Sequence, residues 1–182
     1  MQFKNIFFTA LAVFLFGVIA IEVFSSFTEK KAKSDRLSCH EEVVVFERIY
    51  HEDLIDKVQQ AIIANDYELQ VRVSKSSYMP TQLFDHITPQ QIAQMLQDRY
   101  SKEYDAQAAS SKSAVIDLFI YENDKEDPKK KNEAAKKYAG YLTLRYMIDE
   151  KEIYRFQIDF MDMQARDIDT RIDCAVKSLM SL

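Results

Sequence analysis

Between Lys4 and Lys30 the only charged side chains are Glu22 and Glu29, and the run from Asn5 to Ile21 carries none. A bilayer core takes about 20 apolar residues at roughly 1.5 Å each, and Asn5 to Phe24 supplies that length if Glu22 lies near the interface. Backbone polar groups in lipid must be satisfied locally, so such a run has to be a helix. The pattern predicts a single transmembrane helix over residues 1–27, acting as a signal anchor, and a polar juxtamembrane linker over 28–38. A cleaved signal peptide is the competing reading, with Lys4 as the charged region and Val18-Ile19-Ala20 as the cleavage site. The apolar Ile21, Val23, Phe24 and Phe27 continue past that site and favour retention. Glu22 reads as an interfacial carboxylate, or as a group facing a basic residue on another membrane helix.

Orientation is pulled two ways. Lys30, Lys31, Lys33 and Arg36 follow the run while Lys4 precedes it, which by the positive-inside rule places the rest of the chain in the cytoplasm. The signal-like pattern and a pair of cysteines far apart in sequence point instead to an extracytoplasmic domain. The resulting expectation is a single-pass protein of a cell inner membrane with its C-terminal domain in the periplasm.

Residues 1–36 hold five basic and three acidic groups (+2), and residues 37–182 hold 19 and 26 (−7). An acidic body speaks against nucleic-acid binding, which needs a basic face. Its 146 residues suit one hydrophobic core.

Within 39–182 the periodicities alternate. The β-branched run 43–49 predicts a strand, and Leu54, Ile55, Val58 and Ile62 recur at helical spacing. Tyr67, Leu69, Val71 and Val73 alternate with polar residues, as a half-buried strand does. Thr88-Pro89 with Gln91 forms a capping box for a helix whose apolar stripe is Ile92, Leu96 and Tyr100. Residues 114–121 read as an interior strand. Residues 122–137 lack a large apolar side chain and are expected to be solvated. Leu142, Leu144, Tyr146 and Ile148 match Tyr154, Phe156, Ile158 and Phe160 as the apolar face of a hairpin, with Arg145 and Arg155 on the other face. Ile168, Ile172, Val176 and Leu179 close the chain as a helix. The fold class is therefore α+β: one mixed domain with a mainly antiparallel sheet and helices on one face, behind the N-terminal transmembrane helix.

Chemistry is sparse. Cys39 and Cys174 stand alone in sequence and read as one disulfide closing nearly the whole domain. His40, His51 and His86 show no metal-ligand spacing and read as surface histidines. Asp159, Asp162, Asp167, Asp169 and Asp173 interleave with Arg166 and Arg171, which resembles ion-paired helix dressing more than a metal or two-carboxylate site. With only Gly17 and Gly140, there is no phosphate-cradling loop. The expectation is a protein without catalytic, cofactor or metal residues: an accessory or assembly subunit of a membrane protein complex. Its partners would be membrane protein subunits and the lipid bilayer, engaged through Glu22, Arg145 and Arg155. The alternative is a membrane-tethered binding domain for a small molecule, lipid or envelope polymer. Its pocket would lie between sheet and helices, with Arg72 or Asp117 pointing inward.

Overall fold

The computed structural model describes residues 37–103 and 112–182. Helix α1 (Cys39–Glu42) leads into strand β1 (Val45–Ile49), and a 3-10 turn opens helix α2 (Ile55–Ile63). Strand β2 (Tyr67–Ser74), the short helix α3 (Leu83–His86) and helix α4 (Pro89–Glu103) follow. Strands β3 (Ala114–Glu122), β4 (Gly140–Ile148) and β5 (Lys151–Phe160) precede the last helix, α5 (Ile168–Met180).

The five strands form one sheet in the order β1-β5-β4-β3-β2. β2 and β3 are parallel, joined through α4, and the other three pairings are antiparallel. Alternation along the strands decides the two faces. Ile116, Leu118, Ile120, Leu142, Leu144, Tyr146, Tyr154, Phe156 and Ile158 point to one face and are fully buried beneath the helices. The hairpin register agrees with the sequence pairing: Leu144 lies opposite Phe156, and Tyr146 opposite Tyr154. A bulge after Tyr146 leaves Ile153 unpaired on β5. Its carbonyl instead accepts the N–H groups of Tyr50 and His51 and ends the β1 pairing.

The helices form where their caps and stripes predict. Thr88 and Gln91 exchange hydrogen bonds (Thr88 N to Gln91 Oε1 2.8 Å, Gln91 N to Thr88 Oγ1 3.2 Å), which satisfies two donors at the α4 start. Ile92, Leu96 and Tyr100 are buried along one stripe, and the Tyr100 hydroxyl reaches that of Tyr146 at 2.8 Å in the core. That pairing satisfies two phenols that burial holds in the neutral form, since desolvation raises the pKa of both.

Gly140 opens β4 where no side chain fits. A Cβ there would stand 2.1 Å from the Tyr121 carbonyl oxygen and 2.4 Å from Cζ of Phe160. Because one of those atoms is backbone of the neighbouring strand, Gly140→Ala must displace β3 from β4. The expected loss is about 3 kcal/mol, read by urea denaturation; an unchanged midpoint would show that the strands separate freely there.

Two expectations are overturned. Among the described residues no helix is long and apolar enough to cross a membrane. The longest of them, α4, has 15 residues and carries Asp98, Arg99 and Lys102. The segment 1–27, Glu22 with it, and the linker as far as residue 36 lie outside the described residues. The fold of the described residues is thus an α+β domain with a five-stranded mixed sheet. Single-pass placement in an inner membrane with a periplasmic domain, the role as subunit of a membrane complex, and the tethered binding domain all required a span and are set aside. The second correction concerns 122–137. Glu122 and Asn123 are fully buried and Asp124 nearly so, because backbone donors of residues 76–83 converge on Glu122 and Asp124 while the Asn123 amide donates to the Ala135 and Tyr138 carbonyls.

Candidate functional site: a groove beside strand β1

The Cys39–Cys174 disulfide joins α1 to α5 across a sequence separation of 135 residues. Next to it His40 is buried, not exposed as a surface histidine would be. Its Nε2 lies 2.6 Å from Ser178 Oγ, and the Ser178 hydroxyl donates to the Cys174 carbonyl at 2.9 Å. With that proton committed, Ser178 accepts, so Nε2 carries the histidine N–H. The other nitrogen, Nδ1, faces Glu47 at 3.8 Å, and Glu47 in turn accepts a hydrogen bond from the Tyr154 hydroxyl. Arg171 of α5 adds a third tie by donating to Glu42 at 3.0 Å. These contacts fix α1 and therefore the start of β1.

The ligand atoms of Cys39, His40 and Cys174 lie within 4.8 Å of one another. A thiophilic cation takes thiolates, however, and both sulfurs here are spent on each other. As a disulfide, this cluster staples the fold.

Where α1 meets β1, a groove of about 970 Å³ opens between that corner and the segment preceding β4. Its walls include Val44, Phe46, Tyr138, Tyr141 and Met161, with Asp159 among them. Val44, Phe46 and Met161 are exposed by 51, 61 and 47%, an unusual concentration of large apolar side chains at one place on a surface. The β5 alternation sets Asp159 on the sheet face away from the helices, directly opposite Tyr141. Its backbone N–H donates to the Val44 carbonyl at 3.1 Å, which draws β1 alongside.

The Asp159 carboxylate is the site's most informative group. The residue is 8% exposed, and no hydrogen bond or ion pair reaches its side chain among the described residues. Desolvation, with nothing to offset it, raises its pKa from 3.8 to about 6. Burial also raises the Tyr138 and Tyr141 phenols, with Tyr121 and Asp159 adding to the effect. Tyr141 is held by stacking on Tyr121 at 4.6 Å, and Lys130 holds Tyr121 by a 2.9 Å bond to its hydroxyl. Glu41 and Glu42, the latter ion-paired with Arg171, line the groove on one side and Lys137 on the other.

The other residues singled out from sequence are placed elsewhere. Arg145 and Arg155 lie opposite each other on the open sheet face, with Glu152 bonded to both. Arg72 and Asp117 form a two-point pair at 2.8 and 2.7 Å on that same face, so neither points into a pocket beneath the helices. The remaining aspartates are ion-paired: Asp162 with Arg166, Asp167 with Arg171, and Asp169 and Asp173 with Arg99. Asp159 alone of that cluster is left for chemistry. His51 and His86 are exposed. No family model, no curated protein and no solved structure matches this chain.

Proposed function

We propose that this domain is a non-catalytic binding module whose ligand is an organic cation with an apolar body, held in the groove beside β1. The observation that carries the reading is the buried, unpartnered Asp159 in a wall of Val44, Phe46, Tyr138, Tyr141 and Met161. A buried carboxylate is costly unless a partner compensates it. A ligand ammonium would supply that partner, aromatic faces would attract the same cation, and the aliphatic wall would bury its body.

Titration calorimetry with phenethylamine, its trimethylammonium derivative and the uncharged phenethyl alcohol separates the terms. Both cations are expected to bind and the alcohol to bind at least tenfold more weakly. Affinity for the trimethylammonium compound, which does not titrate, should rise with pH through about 6 as Asp159 ionises, then level off. Equal affinity for alcohol and amine would sink the reading.

Asp159→Asn is expected to abolish the preference for cations while making the protein more stable at neutral pH. The sign follows from the raised pKa. A carboxyl whose folded pKa exceeds 3.8 favours the fold fully below that value, and the contribution is lost as pH rises through about 6. Asparagine has no such loss, so the variant gains at most about 3 kcal/mol above pH 7 and nothing below about pH 4. Urea denaturation at the two pH values measures this. A variant less stable at neutral pH would mean that Asp159 has a structural partner.

A further inference from the structure

We infer that β2 pairs, antiparallel and about a two-fold axis at Gln70, with β2 of a second copy of this chain. β2 is eight residues long and ends the sheet on the side away from the groove. Its outer backbone edge has no hydrogen-bond partner among the described residues. A long bare edge of this kind is a template for another strand. On the helix-covered face, Val71 and Val73 are 38 and 41% exposed, while their β3 neighbours Leu118 and Ile120 are fully buried. The helices therefore cover β3 completely and leave these β2 valines partly bare.

Register follows from face and charge. Two copies keep their apolar faces together only if residues of like parity face each other. Centring on Gln70 sets Leu69 against the second copy's Val71 and Tyr67 against its Val73. On the other face Glu68 falls against the second copy's Arg72, and this pair occurs twice by symmetry. Centring on Val71 would pair Glu68 with Ser74 and leave the charges unmatched. The open face already carries an alternating ladder: Arg72 with Asp117, Asp117 with Arg145, Arg145 with Glu152, Glu152 with Arg155. The ladder ends at the edge on a cation, and Arg72 spends only Nε and Nη2 on Asp117. The second copy's Glu68 continues the alternation at that point, and the two sheets join into one of ten strands.

The test uses the full chain. Light scattering coupled to gel filtration is expected to show a concentration-dependent dimer. Val71→Lys should raise the concentration at which it forms at least tenfold with an unchanged circular dichroism spectrum. Gln70→Cys sets the two new thiols face to face, so mild oxidation with copper phenanthroline should trap the dimer on a non-reducing gel. Ser74→Cys, whose thiols would stand about 26 Å apart in this register, should not cross-link. A chain that stays monomeric at about 1 mM overturns the inference. So does a dimer that Val71→Lys leaves intact, or one in which Ser74→Cys cross-links as fast as Gln70→Cys.

Discussion

Serine at both Cys39 and Cys174 is expected to cost the domain about 5 kcal/mol of stability, or about 15 °C in melting temperature. The figure follows from chain statistics alone: the bond closes a loop spanning a sequence separation of 135 residues, and the unfolded chain regains that freedom when it is cut. Heat or urea unfolding of the double variant against the parent measures it. The loss should fall unevenly over the molecule. Without the disulfide, α1 is left to noncovalent contacts, among them the His40–Ser178 and Arg171–Glu42 hydrogen bonds, each of about 1 to 3 kcal/mol, and the packing of His40 on Phe156. α1 carries one wall of the groove, so hydrogen exchange should quicken first over residues 39–46, and cation binding should weaken before the sheet melts. A loss below about 1 kcal/mol would mean that the unfolded chain is already compact around this pair.

Much of the architecture could be read from local patterns, because most of its elements are decided by neighbours a few residues apart. The alternation of Tyr67 to Val73, the capping box at Thr88 and the facing apolar sets of the β4–β5 hairpin each act within one window of chain. The order of strands could not. Nothing local in Val45–Ile49 says that it pairs with β5, more than a hundred residues later, and a parallel β2–β3 contact depends on the crossover through α4. The greasy N-terminal run shows the opposite limit. Hydropathy gives a segment's preference for an apolar phase, while the fold described here is built from residues outside that segment and contains no helix fit to span a membrane.

The site was harder to read for a definable reason. The sequence places Asp159 among five aspartates near the C-terminus and, with Arg145 and Arg155, on the outer face of the β4–β5 hairpin, where the structure has it. Four of the five are ion-paired, Asp162 and Asp167 with the nearby Arg166 and Arg171 that the spacing pointed to, and Asp169 and Asp173 with Arg99 of α4, which it did not. What separates the fifth is its place opposite Tyr141 and beside Val44, contacts made by strands remote in the chain. His40 was misread for the same cause: a histidine beside a cysteine is buried once the disulfide pulls it against Ser178. Glu122 and Asp124 read as solvated because their partners, at 76–83, are some forty residues earlier.

Those buried groups carry the second large effect. Glu122→Ala is expected to destabilise the domain by about 4 kcal/mol. Glu122 is fully buried at the end of β3. Its Oε1 accepts the backbone N–H groups of Gln82 and Leu83 at 2.7 and 2.9 Å, at the entrance to α3. Its Oε2 accepts the backbone and hydroxyl of Ser76 at 3.2 Å each and the Thr81 hydroxyl at 2.8 Å. Removing the carboxylate leaves four donors, the N–H groups of Ser76, Gln82 and Leu83 and the Thr81 hydroxyl, without their acceptor, while the Ser76 hydroxyl keeps the Met79 carbonyl at 3.0 Å. Glu122→Gln should do little better, since the amide turns an NH₂ group toward donors whichever way it sits. Desolvation alone would raise this carboxyl, but the bonds from Leu83, Gln82, Thr81 and Ser76 outweigh it and hold the pKa below 4.5. A depressed carboxyl stabilises the fold above its unfolded pKa, and that stability is lost as pH falls through the folded value. The parent should therefore weaken on acidification below pH 4.5, and both Glu122 variants should show a shallower decline there. Variants that match the parent at neutral pH would show that the loop of residues 76–83 holds its shape without the carboxylate, and that α3 is placed by Leu83 in the core alone.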